Sequence, residues 1–148
     1  MKNDHKRINE KLSDYWEQIR ADRNYPSEKE FLPENIADIW DHCFLVQVNP
    51  GHDVDHGYRY SYLGKALIDA FGDDVSGQEV GEILLDTSAN SFVEAFEKVI
   101  KDATPVVTEG EFTNKNAIII KYRSCMLPLS GVGDKIDYII GGMNWKAF

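Results

Sequence analysis

The sequence predicts an α+β fold, one five-stranded antiparallel sheet with short helices on one face and an amphipathic helix in front of it. Three observations predict it. The end of the chain reads as three consecutive strands, 105–112, 118–129 and 136–145. The stretches between them, Asn114-Lys115-Asn116 and Ser130-Gly131-Val132-Gly133-Asp134, are rich in residues that tolerate positive φ. Two more strands, Cys43–Val48 and 57–63, lie far upstream, and three helical segments fall between the second and third strands. Such an order makes a cup, with the sheet as one wall and the helices as the other.

The elements follow in order. Ile8, Leu12, Tyr15, Trp16 and Ile19 form one apolar stripe at helical spacing, which predicts a helix over 6–21. Tyr25-Pro26 ends it, so residues 1–26 read as an N-terminal helix and cap, and 27–148 as the domain. Pro33 suits the first turn of a short helix over 34–39, anchored by Ile36, Ile39 and Trp40. Cys43–Val48 is an apolar run of strand length, stopped by Asn49-Pro50-Gly51. In the second strand the alternation Tyr58-Arg59-Tyr60-Ser61-Tyr62 predicts three tyrosines on one face. A helix over 64–71 closes at Gly72. Ser76-Gly77-Gln78-Glu79 has capping-box form and predicts another short helix to about residue 85. A longer helix begins near Thr87, buries Phe92, Val93, Phe96, Val99 and Ile100, and stops at Thr104-Pro105.

Composition narrows the function. The chain of 148 residues has room for one good core. Its net charge is −9, with 16 basic residues scattered among 25 acidic ones. Nucleic acid and acidic membranes are bound by clustered Lys and Arg, so neither is an expected partner. No apolar run approaches the ~20 residues of a membrane span, and the charged start lacks the apolar region of a secretory signal. The expected location is the cytoplasm. Cys43 and Cys125 are too few and too far apart for a disulfide framework and read as buried, reduced thiols.

Each chemical motif has a plainer reading. His52-Asp53-x-Asp55-His56 looks metal-like, but it follows a Pro-Gly turn, where Asp and His are ordinary; a zinc site needs three or four converging ligands. No metal is predicted. His42 and Cys43 are neighbours in an extended segment and point to opposite faces, so they are no nucleophile–base pair. Glu109 and Glu111 share a strand face, most simply a solvated one. No phosphate-binding, nucleophile-elbow or zinc-protease motif occurs. No catalytic residue is assigned.

Order and motifs together resemble the PAS family, closest to its small stand-alone bacterial proteins. The resemblance opens at Tyr15-Trp16, with Arg20, Arg23 and Pro26. It continues through Phe44-Leu45-Val46, Tyr58-Arg59-Tyr60-Ser61-Tyr62-Leu63-Gly64, Gly77, Pro105, Leu127-Pro128-Leu129-Ser130 and Asp137-Tyr138-Ile139-Ile140-Gly141-Gly142. Such proteins often carry a further basic residue and an acidic pair after the proline; here the stretch is Ser27-Glu28-Lys29-Glu30. The resemblance implies strand order 2-1-5-4-3 and a sensory or regulatory, non-enzymatic role in signal transduction. It also implies an output passed to a separate protein or a second copy in a homodimer. Light-sensing PAS domains hold a flavin-reactive cysteine in a helix, and haem-binding ones an axial histidine on the long helix. Cys43 opens a strand and the long helix has no histidine, so no cofactor is predicted.

A small apolar or aromatic ligand is still possible in such a cup. Its expected lining is Tyr60, Tyr62, Phe71, Phe92, Phe96 and Tyr138. Leu12, Tyr15, Trp16 and Ile19 are expected to pack on the outer sheet face or against a second subunit. The rival function is a small-substrate enzyme of another cup-shaped α+β fold, which needs a His or Asp inside the cup.

Overall fold

A computed structural model describes residues 4–48, 57–84, 90–131 and 133–148 of the chain. The elements are α1 (Asp4–Arg20), β1 (Cys43–Val48), β2 (Tyr58–Leu63), α2 (Lys65–Phe71), α3 (Asn90–Asp102), β3 (Val106–Thr113), β4 (Ile119–Ser130) and β5 (Ile136–Ala147). The strands form one antiparallel sheet in the order β2-β1-β5-β4-β3, as the resemblance implies. No helix among the described residues is long and apolar enough to cross a membrane.

Strand alternation gives the sheet two buried faces. On the cup face, α2, α3 and the segment between them pack over Phe44, Val46, Tyr60, Leu63, Phe112, Ile120, Tyr122, Met126, Ile139 and Met143. On the outer face, α1 and the segment after it pack over Cys43, Cys125, Leu127, Leu129 and Ile140. The pair Gly141-Gly142 serves one face each. A Cβ on Gly141 would lie 2.1 Å from the Phe44 ring, and one on Gly142 would lie 3.2 Å from Leu12. Bare backbone at these two positions lets Phe44 and α1 sit down on the sheet.

Three local expectations change. The predicted helix over 34–39 is instead two single turns of 3-10 helix, Pro33–Ile36 and Trp40–His42. The backbone here closes i→i+3 bonds, from Asn35 N–H to Leu32 O, Ile39 N–H to Ile36 O and His42 N–H to Ile39 O, which is the short form. Ser76 does not cap a helix. Its hydroxyl and N–H both donate to the Asp74 carboxylate, at 2.7 and 3.0 Å. Gly77 then turns with φ +83 nearby at Gly72 and +81 at its own position, and its N–H donates to Tyr60 O at 2.7 Å. That ties the segment to the edge of β2, leaving only a 3-10 turn at Val80–Glu82. The expected start of the long helix near Thr87 lies outside the described residues; α3 is described from Asn90.

The third change moves a side chain to the other face. In the β1–β2 pairing, Leu45 sits opposite Tyr62 and Val46 opposite Tyr60, so Ser61 is an extra residue. A bulge of this kind shifts the alternation by one. Tyr60 stays in the cup, while Tyr62 turns to the outer face. There it stacks on Trp40, with ring centroids 4.4 Å apart, and its hydroxyl donates to Trp40 O at 3.1 Å.

Candidate functional site

The cup is lined by rings that touch one another. Phe44 meets Tyr60 and Phe96; Tyr60 meets Phe71; Phe71 meets Phe92 and Phe112; Phe92 meets Tyr122, with centroids 5.2–6.3 Å apart across the set. Such pairs add about 0.5–1.5 kcal/mol each beyond their buried area. Phe71 and Phe96 are fully buried, Tyr60 and Phe92 nearly so. Of the expected ligand-lining residues, Tyr60, Phe71, Phe92 and Phe96 therefore come together. Tyr62 and Tyr138 do not. Tyr138 pairs with Gln47 and Leu129 in the register that carries Ile140 and Gly142, and it packs against the outer-face cluster. Phe44, Phe112 and Tyr122 complete the ring cluster and were not singled out from sequence. Their signal was the cross-strand register, which a single sequence does not display.

Two buried polar side chains near the cup, Ser124 and Asn114, are held by hydrogen bonds. The buried polar side chains among the described residues are Asn114, Ser124, Ser130 and Asn144. Ser124 Oγ donates to Gly142 O at 2.8 Å. Asn114 Nδ2 donates to Ala70 O at 3.0 Å, while its Oδ1 accepts the N–H groups of Asn116 and Ile118. Burial pushes the Tyr60 hydroxyl up, with neighbouring Tyr122 adding to it, so it stays protonated. Burial likewise moves Tyr58 up to about 12, helped by Glu97.

The thiols lie on the other side of the sheet. Cys43 and Cys125 each pair with Gly142 from opposite sides and are both buried. Two strand spacings set their Cα atoms roughly 9.6 Å apart, beyond the ~7 Å limit of a disulfide. Desolvation moves the Cys125 thiol up to about 11 and raises Cys43 further. Cys43 Sγ points at Ile39 O, 3.4 Å away, whereas His42 Nδ1 faces Met143 O; the two do not pair.

The outer face is where α1 docks. Leu12 and Trp16 are fully buried against the sheet, Tyr15 nearly so, and Ile19 is half-buried. In the single chain the stripe packs on the chain's own sheet. Trp16 Nε1–H donates to Pro128 O at 2.8 Å. The Tyr15 hydroxyl accepts from Leu32 N and from Asn35 Nδ2, each at 3.1 Å. Ala21, at φ 55, ends the helix, and Arg23 caps it by donating to Ile19 O and Arg20 O. The Arg23 guanidinium also grips Glu30 with two bonds of 2.8 and 2.9 Å, and Ser27 N–H donates to the same carboxylate. These bonds hold the Glu30 carboxyl down to about 2, with Arg23 the largest cause. One α1 residue does not fit this pattern. Both amide atoms of Asn9 are buried and have no partner among the described residues, and its Oδ1 lies 3.4 Å from where a Gly142 Cβ would be.

The remaining motifs settle simply. Glu109 pairs across the strands with Arg123, through bonds of 3.0 and 2.5 Å, on an exposed face. The His52–His56 loop lies outside the described residues. Among the described residues no three of His, Cys, Asp and Glu gather to hold a metal.

Residues 4–144 match the profile of a family described as PAS domain. No curated protein sequence matches. Solved structures share the fold. The Rhodobacter sphaeroides LOV protein is 15% identical with a TM-score of 0.56, covering 76% of this chain; the chain spans only 65% of that protein. The PAS domain of a Colwellia psychrerythraea protein is 14% identical with a TM-score of 0.55, covering 75% of this chain and 93% of that one. A light-oxygen-voltage domain studied with a flavin analogue is 10% identical with a TM-score of 0.58, covering 76% and 82%. A flavin does not fit this cup as it is folded. Phe44, Tyr60, Phe71, Phe92 and Phe96 occupy the space between helices and sheet, and both thiols face away from it.

Proposed function

We infer the function from one premise: the chain belongs to the PAS domain family. It has the fold of PAS and light-oxygen-voltage domains, a fold suited to a sensory or regulatory module. We propose that it is such a module, non-enzymatic and acting in the cytoplasm, and that it works by moving α1 on the outer face rather than by chemistry in the cup. Residues 1–26 act as a displaceable cap on the domain 27–148. A partner, either a separate signalling protein or a second copy, favours one arrangement of α1 over the sheet and so shifts its population.

The observation that carries this reading is Asn9. A buried amide with neither atom paired costs about 1–3 kcal/mol, a penalty that undocking α1 removes. The helix is therefore held by Trp16 and Tyr15 at one end and discouraged at the other. Among the described residues the cup holds no buried polar side-chain atom without a partner. The enzyme alternative needs a His or carboxylate facing the cup, and the buried polar set there supplies amides and hydroxyls already bonded.

Native mass spectrometry of the purified chain tests the reading, because one spectrum reports both retained small molecules and oligomeric state. The expected result is the bare polypeptide mass or a whole multiple of it. A retained molecule would return the sensing step to the cup, at Tyr60, Phe71, Phe92 and Phe96, and would contradict the assignment to α1.

A further inference from the structure

α1 stops before its sequence requires it to. The helix ends at Arg20, yet the first residue that breaks a helix is Pro26. Between them lie Ala21-Asp22-Arg23-Asn24-Tyr25, with no glycine to make a turn. Ala21 makes it instead, at φ 55, a left-handed conformation unfavourable to any residue with a Cβ. Alanine also has the strongest helix preference of all residues. Residues 21–24 are exposed, so burial of their side chains does not hold the turn. At the end of α3, Ala103 has the same φ, but there Pro105 follows at once and gives an ordinary cause.

The cause at α1 lies in where the chain is fastened on either side of the turn. Trp16 Nε1–H donates to Pro128 O, and Ser130 N–H donates to Pro26 O at 2.9 Å. Residues 128 and 130 are about 7 Å apart along β4. A helix continued from Trp16 to Pro26 would carry the backbone about 15 Å. With both ends fastened the helix cannot run on, and the chain doubles back at Ala21. The Tyr25 hydroxyl, donating to Asp134 O, holds the far side of the turn. The last carbonyls of α1 carry the consequence. In a continued helix Ile19 O and Arg20 O would accept the N–H groups of Arg23 and Asn24. Here Arg23 Nη2 donates to Ile19 O at 2.6 Å, while Arg23 Nε and its backbone N donate to Arg20 O at 3.2 and 3.0 Å.

We propose that residues 21–24 are a suppressed turn of helix, held out of helical form by the docking of α1. When α1 leaves the sheet, Ala21 returns to the right-handed region and the helix extends to Asn24, where Tyr25-Pro26 stops it. The device opposes docking from the C-terminal end of α1, as Asn9 does nearer its start. The proposal rests on the reading of α1 as a displaceable cap, and adds what the released helix becomes.

The test follows labelling of Cys125 by a thiol reagent in a Cys43→Ala background at sub-denaturing urea. Cys125 lies beneath α1, 3.9 Å from Asn9 O, and reports its opening. Ala21→Gly relieves the docked turn and weakens the extended helix, so labelling should slow about five-fold or more. Asn24→Ala favours the extended helix and should speed labelling about two-fold. Both positions are exposed, so both variants fold, which circular dichroism checks. In Trp16→Ala, which removes the bond to Pro128, the Cα chemical shifts of residues 21–24 should become helical. Unchanged or faster labelling of Ala21→Gly overturns the proposal. So does unchanged or slower labelling of Asn24→Ala, or the lack of helical shifts over 21–24 in Trp16→Ala. Where opening short of global unfolding is seen but these changes are not, this inference fails alone. Where every variant labels only through global unfolding, the displaceable-cap reading fails with it.

Discussion

The two faces of the sheet are both buried, yet they are held in different ways. The cup face is closed by rings that grip one another from six elements: β1, β2, α2, α3, β3 and β4. The outer face is closed by α1, fixed by a few directed bonds and resting on the small residues Cys43, Gly142 and Cys125, together with Phe31, Ile36, Ile39 and Trp40 of the segment after it. It also traps an amide at Asn9 that is unpaired among the described residues. Close packing makes the first face cooperative, whereas the second can open locally without unfolding the rest. The difference teaches that a filled cup need not mean an inert domain; the adjustable contact has moved to the other side.

The sharpest way to break the comparison is to truncate one large ring on each face. Phe92→Ala leaves a hole among Phe71, Phe112 and Tyr122, and should cost about 3–5 kcal/mol in global stability by urea unfolding. Trp16→Ala removes a similar volume and the bond to Pro128, but its cost is capped at the free energy of docking α1. It should lower global stability less and leave the near-ultraviolet signal of the cup aromatics in place. Equal losses at the two sites would mean a single cooperative core.

Asn9→Leu sharpens the comparison in the other direction. It replaces the unpaired amide with an apolar group of similar size against Gly142 and Cys125. Stability should rise by about 1–3 kcal/mol. A fall would show that the amide has a partner, such as an ordered water, and that α1 is not biased toward release.

A smaller effect is expected at the hinge after α1. The Glu30 carboxyl is held down to about 2 by Arg23 and Ser27, against 4.5 for the free group. A lowered folded value means that its contribution is fully present above the unfolded value and fades as pH falls from about 4.5 toward 2. The pair is solvent-exposed, so the effect should stay below about 1 kcal/mol. Comparing wild type with Glu30→Gln across that window reads it; an equal difference at both ends of the window would remove Glu30 from the acid response.

Much of the fold was legible because it is written in periodicity. The α1 stripe and the three final strands need only local pattern. Strand order came from the motif order, not from any one residue. The candidate site was legible only in part. Tyr62 alternates correctly with Tyr60 on paper, and only the extra residue at Ser61, fixed by pairing with β1, turns it away. The capping box at Ser76 failed because Asp74, two residues earlier, takes the same hydroxyl. Ser27–Glu30, which departs from the family pattern, turned out to fasten the hinge through Arg23. Asn9 gave no sequence signal, since an asparagine becomes informative only when its burial and its missing partners are known.

Cys125 offers the most direct test of the central claim, that α1 opens independently of the cup. Its thiol lies beneath α1, 3.9 Å from the Asn9 carbonyl oxygen. In a Cys43→Ala background, labelling by a thiol reagent is followed at neutral pH over increasing sub-denaturing urea, beside global unfolding of the same protein. The account predicts slow labelling through an opening of lower free energy and smaller urea dependence than global unfolding, slowed further by Asn9→Leu. Labelling that follows the full urea dependence of global unfolding, whether or not residue 9 is changed, would contradict it.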